Sequence, residues 1–311
     1  DYKSTTKDVE KIIKQLTKQD LSGLIIDVRN NGGGSLSEAT SLTGLFINKG
    51  PVVQVKNWRG RLDLERDEKK GVAYDGPLLV LVNRNSASAS EIFSGAIQDY
   101  GRGLIIGEPT FGKGTVQNLV DLNRYSEGAG KLGQLKTTMA QFFRVNGEST
   151  QHRGVIPDIQ FFGLPAPKNH GEKGLENALP WAEISQASYR RSNFDENVIR
   201  NLIKAHQSRI TLDEKFQHLV KTERKILDAQ EKTTLSLVEA TREAEYKENK
   251  ENQLALENEF RVLHGLEPLS QTGSDIEDDE QLTDPYDEPK YDSLLMETGQ
   301  IMIDFNKKLS Q

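Results

Sequence analysis

The chain has 311 residues, 35% of them hydrophobic and 28% charged, with a net charge of −7 and no cysteine. That length accommodates two domains or one domain with a large appendage, and the acidic balance argues against a nucleic-acid surface. The composition excludes disulfides, thiolate zinc sites and cysteine nucleophiles, and no apolar run is long enough to predict a membrane-spanning helix.

In chain order, Val9, Ile12, Ile13 and Leu16 recur at helical spacing and predict an amphipathic helix over 5–18. Gly23 to Val28 is a short, nearly continuous apolar run, as expected of a buried parallel strand. It ends in Arg29-Asn30-Asn31-Gly32-Gly33-Gly34, and Ser35 then opens a helix toward Phe46. The alternating segment Pro51–Lys56 predicts a strand, and the polar stretch 57–74 a hairpin or surface loop. Leu78–Val82 is a second apolar strand, delivered into a serine-rich turn and a helix that runs to Asp99-Tyr100. A third short strand at 104–107 leads to Phe111-Gly112-Lys113-Gly114-Thr115. Residues 132–145 predict one long strand or two joined ones, with a turn at Asn146-Gly147 and extended chain over 154–159. This strand, turn, helix, strand order is an α/β pattern.

Composition shifts near residue 163. The Pro- and Gly-containing stretch 163–192 predicts a linker, and 193–311 predicts a helical domain. Within it, 213–264 predicts two long helices, paired with each other, and 240–253 is almost wholly charged, as a solvated helix face would be. An acidic loop is expected over 271–290, and a final amphipathic helix over 294–309.

The turn carries three alternating serines, Ser86, Ser88 and Ser90. Ser88-Ala89-Ser90-Glu91 fits a capping box, in which Ser88 caps the helix and Glu91 reaches back. The same position favours a nucleophile, because free amides and the helix dipole lie next to it. The two readings compete only in part, since Ser86 is also placed to cap. A serine nucleophile needs a base. Of the histidines, His170, His206, His218 and His264 fall in the linker or helical part, which leaves His152 as the one histidine alternative. Lys113 is the better candidate. Glycines flank it, its surroundings are apolar, and burial lowers a lysine pKa toward a neutral amine. The segment 107–115 lacks the Gly-Lys-Ser/Thr ending of a phosphate loop. The glycine turn at 32–34 reads either as an anion-binding nest or as a tight crossover.

Three segments together resemble the C-terminal processing, or tail-specific, proteases, a serine-lysine peptidase family. They are Ile26–Gly34, Ser86–Glu91 and Gly107–Gln117, with Gly154–Ile159 matching the end of the core. The resemblance implies an α/β (α+β) crotonase- or ClpP-like protease core at 1–162, followed by an all-helical C-terminal extension. The family spaces nucleophile and base 25 residues apart, and 113 − 88 = 25 selects Ser88 over its neighbours. It implies that Gln117 holds Lys113, although four residues of regular strand span roughly 13 Å, so the backbone must bend near Gly114. Asp99 matches a carboxylate that the long Gram-negative members need. The implied oxyanion donors are the amides of Ala89 and of Gly33 or Gly34. Ala178-Leu179-Pro180-Trp181, the charged helices and the region of Asp284-Pro285-Tyr286 resemble the long periplasmic type.

The resemblance also implies a core strand, a PDZ domain and an N-terminal helical region ahead of residue 1. The expected activity is a serine endopeptidase that needs no cofactor or metal. It would cleave unfolded or tail-exposed proteins with apolar C-termini, in the periplasm or beside the inner membrane, with an adaptor as a further partner. Two other classes stay open: a crotonase-like acyl-CoA enzyme using the glycine turn without a serine nucleophile, and a non-catalytic assembly fragment whose charged helices are the working surface.

Overall fold

The computed structural model describes residues 3–125, 132–192, 194–270 and 288–309. The chain divides into two units: Asp1–Gln160, Asn169–Ile199 and Phe305–Gln311 form the first, and Phe161–Lys168 with Arg200–Asp304 form the second. The acidic stretch expected over 271–290, including Asp284-Pro285-Tyr286, lies almost wholly outside the described residues.

The first unit opens with helix α1 (Thr5–Leu16), capped by the Ser4 side chain, then strand β1 (Leu24–Asp27) and helix α2 (Leu36–Thr43), capped by Ser35. Strands β2 (Gly50–Asn57) and β3 (Leu62–Asp67) follow as a hairpin, so the polar stretch after 57 is the return strand. Next come β4 (Leu78–Val82), helix α3 (Ala89–Asp99), β5 (Leu104–Gly107), β6 (Thr115–Asp121), β7 (Gln134–Phe143) and β8 (Ile159–Gln160). The stretch 132–145 thus holds one strand, while β6 is a strand that the sequence pattern did not announce.

Two sheets result. One is parallel, in the order β1-β4-β5-β8, and the other antiparallel, in the order β3-β2-β7-β6. Leu78 to Val82 are at most 1% exposed, which explains why β4 is apolar without alternation: both faces of a parallel strand are covered. Helix α3 is the cover shared by the two sheets. Its Phe93 and Ile97 pack with Val80, Val82 and Ile105 of the parallel sheet, while Ile92 and Ala96 pack with Val53 and Phe142 of the antiparallel one. At about 1.5–3 kcal/mol per fully buried large apolar side chain, this packing fixes α3, and its N-terminus faces the space between glycine turn and β6.

The stretch expected as a linker is tied to the first unit from Asn169 onward. Glu172 N–H donates to Phe111 O at 3.0 Å, Trp181 Nε1 to Ser149 O at 3.0 Å, and Ala187 N–H to Val145 O at 2.8 Å.

The second unit holds helix α4 (Glu196–Leu212) from Arg200 on, α5 (Glu214–Glu231), α6 (Glu239–Leu263) and α7 (Ser293–Leu309) as far as Asp304. Asp213 interrupts α4 and caps α5 by accepting from the amides of Lys215 and Phe216. Helices α5 and α6 pair through the Lys221–Glu259 ion pair and a hydrogen bond between His218 Nε2 and Leu256 O. His206 and Arg209 both meet the buried Glu297 carboxylate. No helix among the described residues is long and apolar enough to cross a membrane.

Candidate active site

The turn between β4 and α3 gives each of its serines a different environment. Ser86 is fully buried, and its hydroxyl donates to Val28 O at 2.8 Å while accepting from Asn83 N–H at 3.0 Å. Ser90 donates to Asn31 O at 3.0 Å. Both therefore serve to tie the serine turn to the glycine turn. Ser88 is left partly exposed and held at φ 56°, ψ −112°, a conformation in which a residue with a side chain is strained. Ser88 and Glu91 do form a capping box. Its strong half is the Ser88 N–H donating to Glu91 Oε2 at 2.8 Å, while the Ser88 hydroxyl faces the Glu91 amide without closing a cap hydrogen bond.

The glycine turn lies directly against this elbow. A Cβ on Gly33, which has φ 92°, would sit 2.6 Å from Ala87 O, 2.7 Å from Ala89 N and 2.8 Å from Ser88 Cβ. Only glycine fits there. Side-chain bonds between Asn30 and Asn83 lock the two turns together at 2.9 Å. Of the expected oxyanion donors, the Gly33 N–H is already spent on Asn31 Oδ1 at 2.9 Å. The amides of Ala89, at the first position of α3, and of Gly34 have no hydrogen-bond acceptor among the described residues.

Lys113 stands on the opposite wall, and Glu91 links it to the elbow. The fully buried Glu91 carboxylate accepts from Ser88 N–H, Thr110 Oγ1 at 2.6 Å, Gly112 N–H at 2.8 Å and Lys113 N–H at 3.0 Å. Burial pushes its carboxyl up to about 7, against the pull of these four donors. The Lys113 ammonium is half-buried and held below the ordinary lysine range, first by burial and then by repulsion from Lys136, with Glu172 and Glu91 pulling the other way. Gln151 braces the same loop, accepting from Gly114 N–H at 2.8 Å and donating to Glu172 at 3.3 Å.

Ser88, Ala89, Gly33, Gly34, Lys113 and Gln117 all line one cleft of about 440 Å³, with Lys136 beside them. Strand β6 has its register shift between Val116 and Gln117 rather than at Gly114, and Gln117 lines the cleft without a hydrogen bond to Lys113 among the described residues. Asp99 is not in the cleft. It lies near the far end of α3, buried, and pairs with Arg144 at 2.5 Å, with burial pushing its carboxyl up against that pairing. His152 does not line the cleft either. Its backbone N–H donates to Gly112 O at 2.8 Å, and its Nε2 is buried without a partner. The sequence reading missed the reach of Glu91 to the lysine loop, and it missed Lys136. Alternation along 134–143 was the available signal for Lys136. Among the described residues no group of three His, Asp or Glu is placed to hold a metal ion.

Residues 1–161 match the family model described as Peptidase family S41, and 166–307 match that of the C-terminal domain of tail specific protease. Over 308 residues the chain is 41% identical to the Tail-specific protease of Haemophilus influenzae, covering 98% of this chain and 43% of that protein. It is 38% identical over 157 residues to the chloroplastic C-terminal processing peptidase of Tetradesmus obliquus, covering 50% of this chain and 32% of that one. Among solved structures, the photosystem II D1 C-terminal processing protease is 35% identical, with a TM-score of 0.46 over 53% of this chain and 41% of its own. The chain spans less than half the length of these relatives.

Proposed function

This chain belongs to peptidase family S41, and on that premise we propose that it carries the catalytic site of a serine endopeptidase acting through a Ser88–Lys113 dyad. One observation carries the reading: a single buried carboxylate, Glu91, holds both the Ser88 N–H and the Lys113 N–H, so nucleophile and base are set relative to each other by the backbone. In this reading residues 1–162 are the protease core, 163–192 connect it to the rest of the chain while packing on it from Asn169 onward, and 193–311 are the appended helical domain.

The neutral Lys113 amine takes the Ser88 proton as Oγ bonds to the scissile carbonyl carbon. The carbonyl oxygen becomes an oxyanion, received by the unengaged amides of Ala89 and Gly34. Collapse breaks the C–N bond, and Lys113 returns the proton to the leaving amine. Water then attacks the acyl ester, with Lys113 taking its proton and handing it to the departing Ser88 oxygen. The lowered lysine pKa supports this role, because a base must be unprotonated at working pH. Gln117 orients the Lys113 amine from β6. Asp99 acts at a distance, pinning the far end of α3 to Arg144.

The names of the relatives support proteins as substrates, cut near their C-termini, and we extend this to unfolded or tail-exposed proteins with apolar C-termini in the periplasm or beside the inner membrane. An adaptor that delivers them belongs to the same proposal. The test is degradation of one unfolded protein, with and without an apolar tail, by the full-length protein and its Ser88→Ala and Lys113→Ala variants. Each substitution is expected to lower kcat at least ~10⁴-fold. Turnover that survives either one sinks the dyad.

A further inference from the structure

Lys136 is the one cation in the cleft that the mechanism leaves unused. It lies on β7 directly opposite Leu119 of β6. Opposed residues of an antiparallel pair share a face, as do residues two apart on one strand. Gln117, Leu119 and Lys136 therefore share one face of the β6–β7 ribbon, and all three line the same cavity as Ser88 and Lys113. Lys136 forms no ion pair among the described residues and is solvent-exposed, so its charge is available. Lys136 thus stands in the cavity that a peptide attacked by Ser88 enters.

We propose that Lys136 is a specificity-determining residue whose ammonium takes a carboxylate of the bound chain within a few residues of the scissile bond. This rests on the endopeptidase reading above and adds a substrate preference to it. The carboxylate has two sources, an acidic side chain or the free C-terminus of the substrate. The chemistry also couples substrate to base. Three charged groups act on Lys113: Lys136 from β7, Glu172 from the segment packed behind the loop, and Glu91 from α3. Only Lys136 repels it. A substrate carboxylate that pairs with Lys136 screens that repulsion, and removing the Lys136 charge does the same permanently.

The experiment uses full-length protein and two pairs of short peptides. One pair carries Glu or Gln at successive positions flanking the cleavage site, with amidated ends. The other carries Gln throughout, with a free or an amidated C-terminus. The wild type is expected to favour the carboxylate member of one pair about two- to fivefold in kcat/KM, the scale of an exposed ion pair. Whichever pair shows the preference identifies the source. Lys136→Arg keeps it, Lys136→Gln abolishes it, and Lys136→Glu reverses it. With the neutral peptide, Lys136→Gln also moves the acidic limb of the pH profile upward, because the Lys113 ammonium loses a repelling neighbour. Ser88→Ala is run alongside. Cleavage that persists in Ser88→Ala overturns the endopeptidase reading and this inference with it. Cleavage that vanishes there, while the wild type shows no carboxylate preference or Lys136→Glu leaves it unchanged, overturns the inference alone.

Discussion

Helix α3 spans 11 residues and buries nine of them, while α6 spans 25 residues and buries only Phe260. The short helix breaks the amphipathic rule because it lies between two sheets and has no solvent face. The long one survives by composition: residues of good helix propensity, charged pairs on its surface and one apolar anchor against α5. Function follows the first arrangement. A strained serine at φ 56° persists only where surrounding contacts over-determine it, and the N-terminus of α3 supplies such contacts through Ser86, Ser90, Gly33 and Glu91. Nothing on α6 is held in this way.

If that contrast is right, the heaviest losses come from contacts at the start of α3. Glu91→Gln keeps the shape but replaces one acceptor oxygen with an NH₂ group. Two of the four buried donors on Glu91 then face another donor. Each unsatisfied buried donor costs about 1–3 kcal/mol, and a displacement of nucleophile from base on the order of 1 Å costs about 10² in rate. A kcat within a factor of about two of wild type would break the claim that Glu91 joins the two walls. Gly33→Ala ranks next. Its Cβ meets backbone at 2.6 and 2.7 Å from a positive φ, which predicts a loss of roughly 1–3 kcal/mol in stability together with slower turnover. Gly32→Ala is the control for stability, since nothing lies within 4 Å of a Cβ there. Thermal melts of the two variants should separate clearly.

Titration gives a smaller, graded effect at the same place. Lys113 must be neutral to accept the Ser88 proton, so activity rises with pH through a limb below the ordinary lysine range. Glu91 contributes with the same sign to activity, since a proton on its carboxyl removes one acceptor from the donors that set Ser88 and Lys113. Its sign for stability is opposite. The folded state raises the Glu91 pKa from 4.5 to about 7, so its favourable contribution is full below the unfolded value and is lost as pH rises between the two. Melts across that window should therefore fall with rising pH more steeply in wild type than in Glu91→Gln, while wild-type kcat/KM climbs. Parallel slopes in the two proteins would remove Glu91 from the account.

Much of the architecture was legible because it rests on local pattern. The apolar run of β4, the Ser35 and Ser88 starts of α2 and α3, and the helical composition of α5 and α6 are all read within a few residues. What stayed hidden depends on partners far along the chain. Three equivalent serines look alike in sequence, and only Val28 O and Asn31 O, more than 50 residues upstream, show that Ser86 and Ser90 are spoken for. The stretch from Asn169 looked like a linker because of its prolines and glycines, yet its backbone bonds to Phe111, Val145 and Ser149 bind it to the core unit. Lys136 was only half legible for the same reason: alternation could put it on a strand, but its place in the cleft is set by pairing with β6, whose Thr115–Asp121 run alternates too weakly to declare a strand.

The other side of the comparison predicts almost nothing, and that makes it a sharp test. Lys221 and Glu259 meet at 2.6 Å across α5 and α6, both about half exposed. Hydrogen bonding to Lys221 holds the Glu259 carboxyl below the usual range, so whatever the pair contributes is present at neutral pH and lost as pH falls through that lowered value. Exposure and salt screening limit it to about 0–1 kcal/mol. A double-mutant cycle of Lys221→Ala and Glu259→Gln in the full-length protein, read by thermal melts at low and high salt, should give a coupling in that range that shrinks with salt, with proteolysis unchanged. A larger, salt-insensitive coupling, or a loss of activity, would mean that α6 is held by more than propensity, surface pairs and one buried phenylalanine, and that it is tied to function as α3 is.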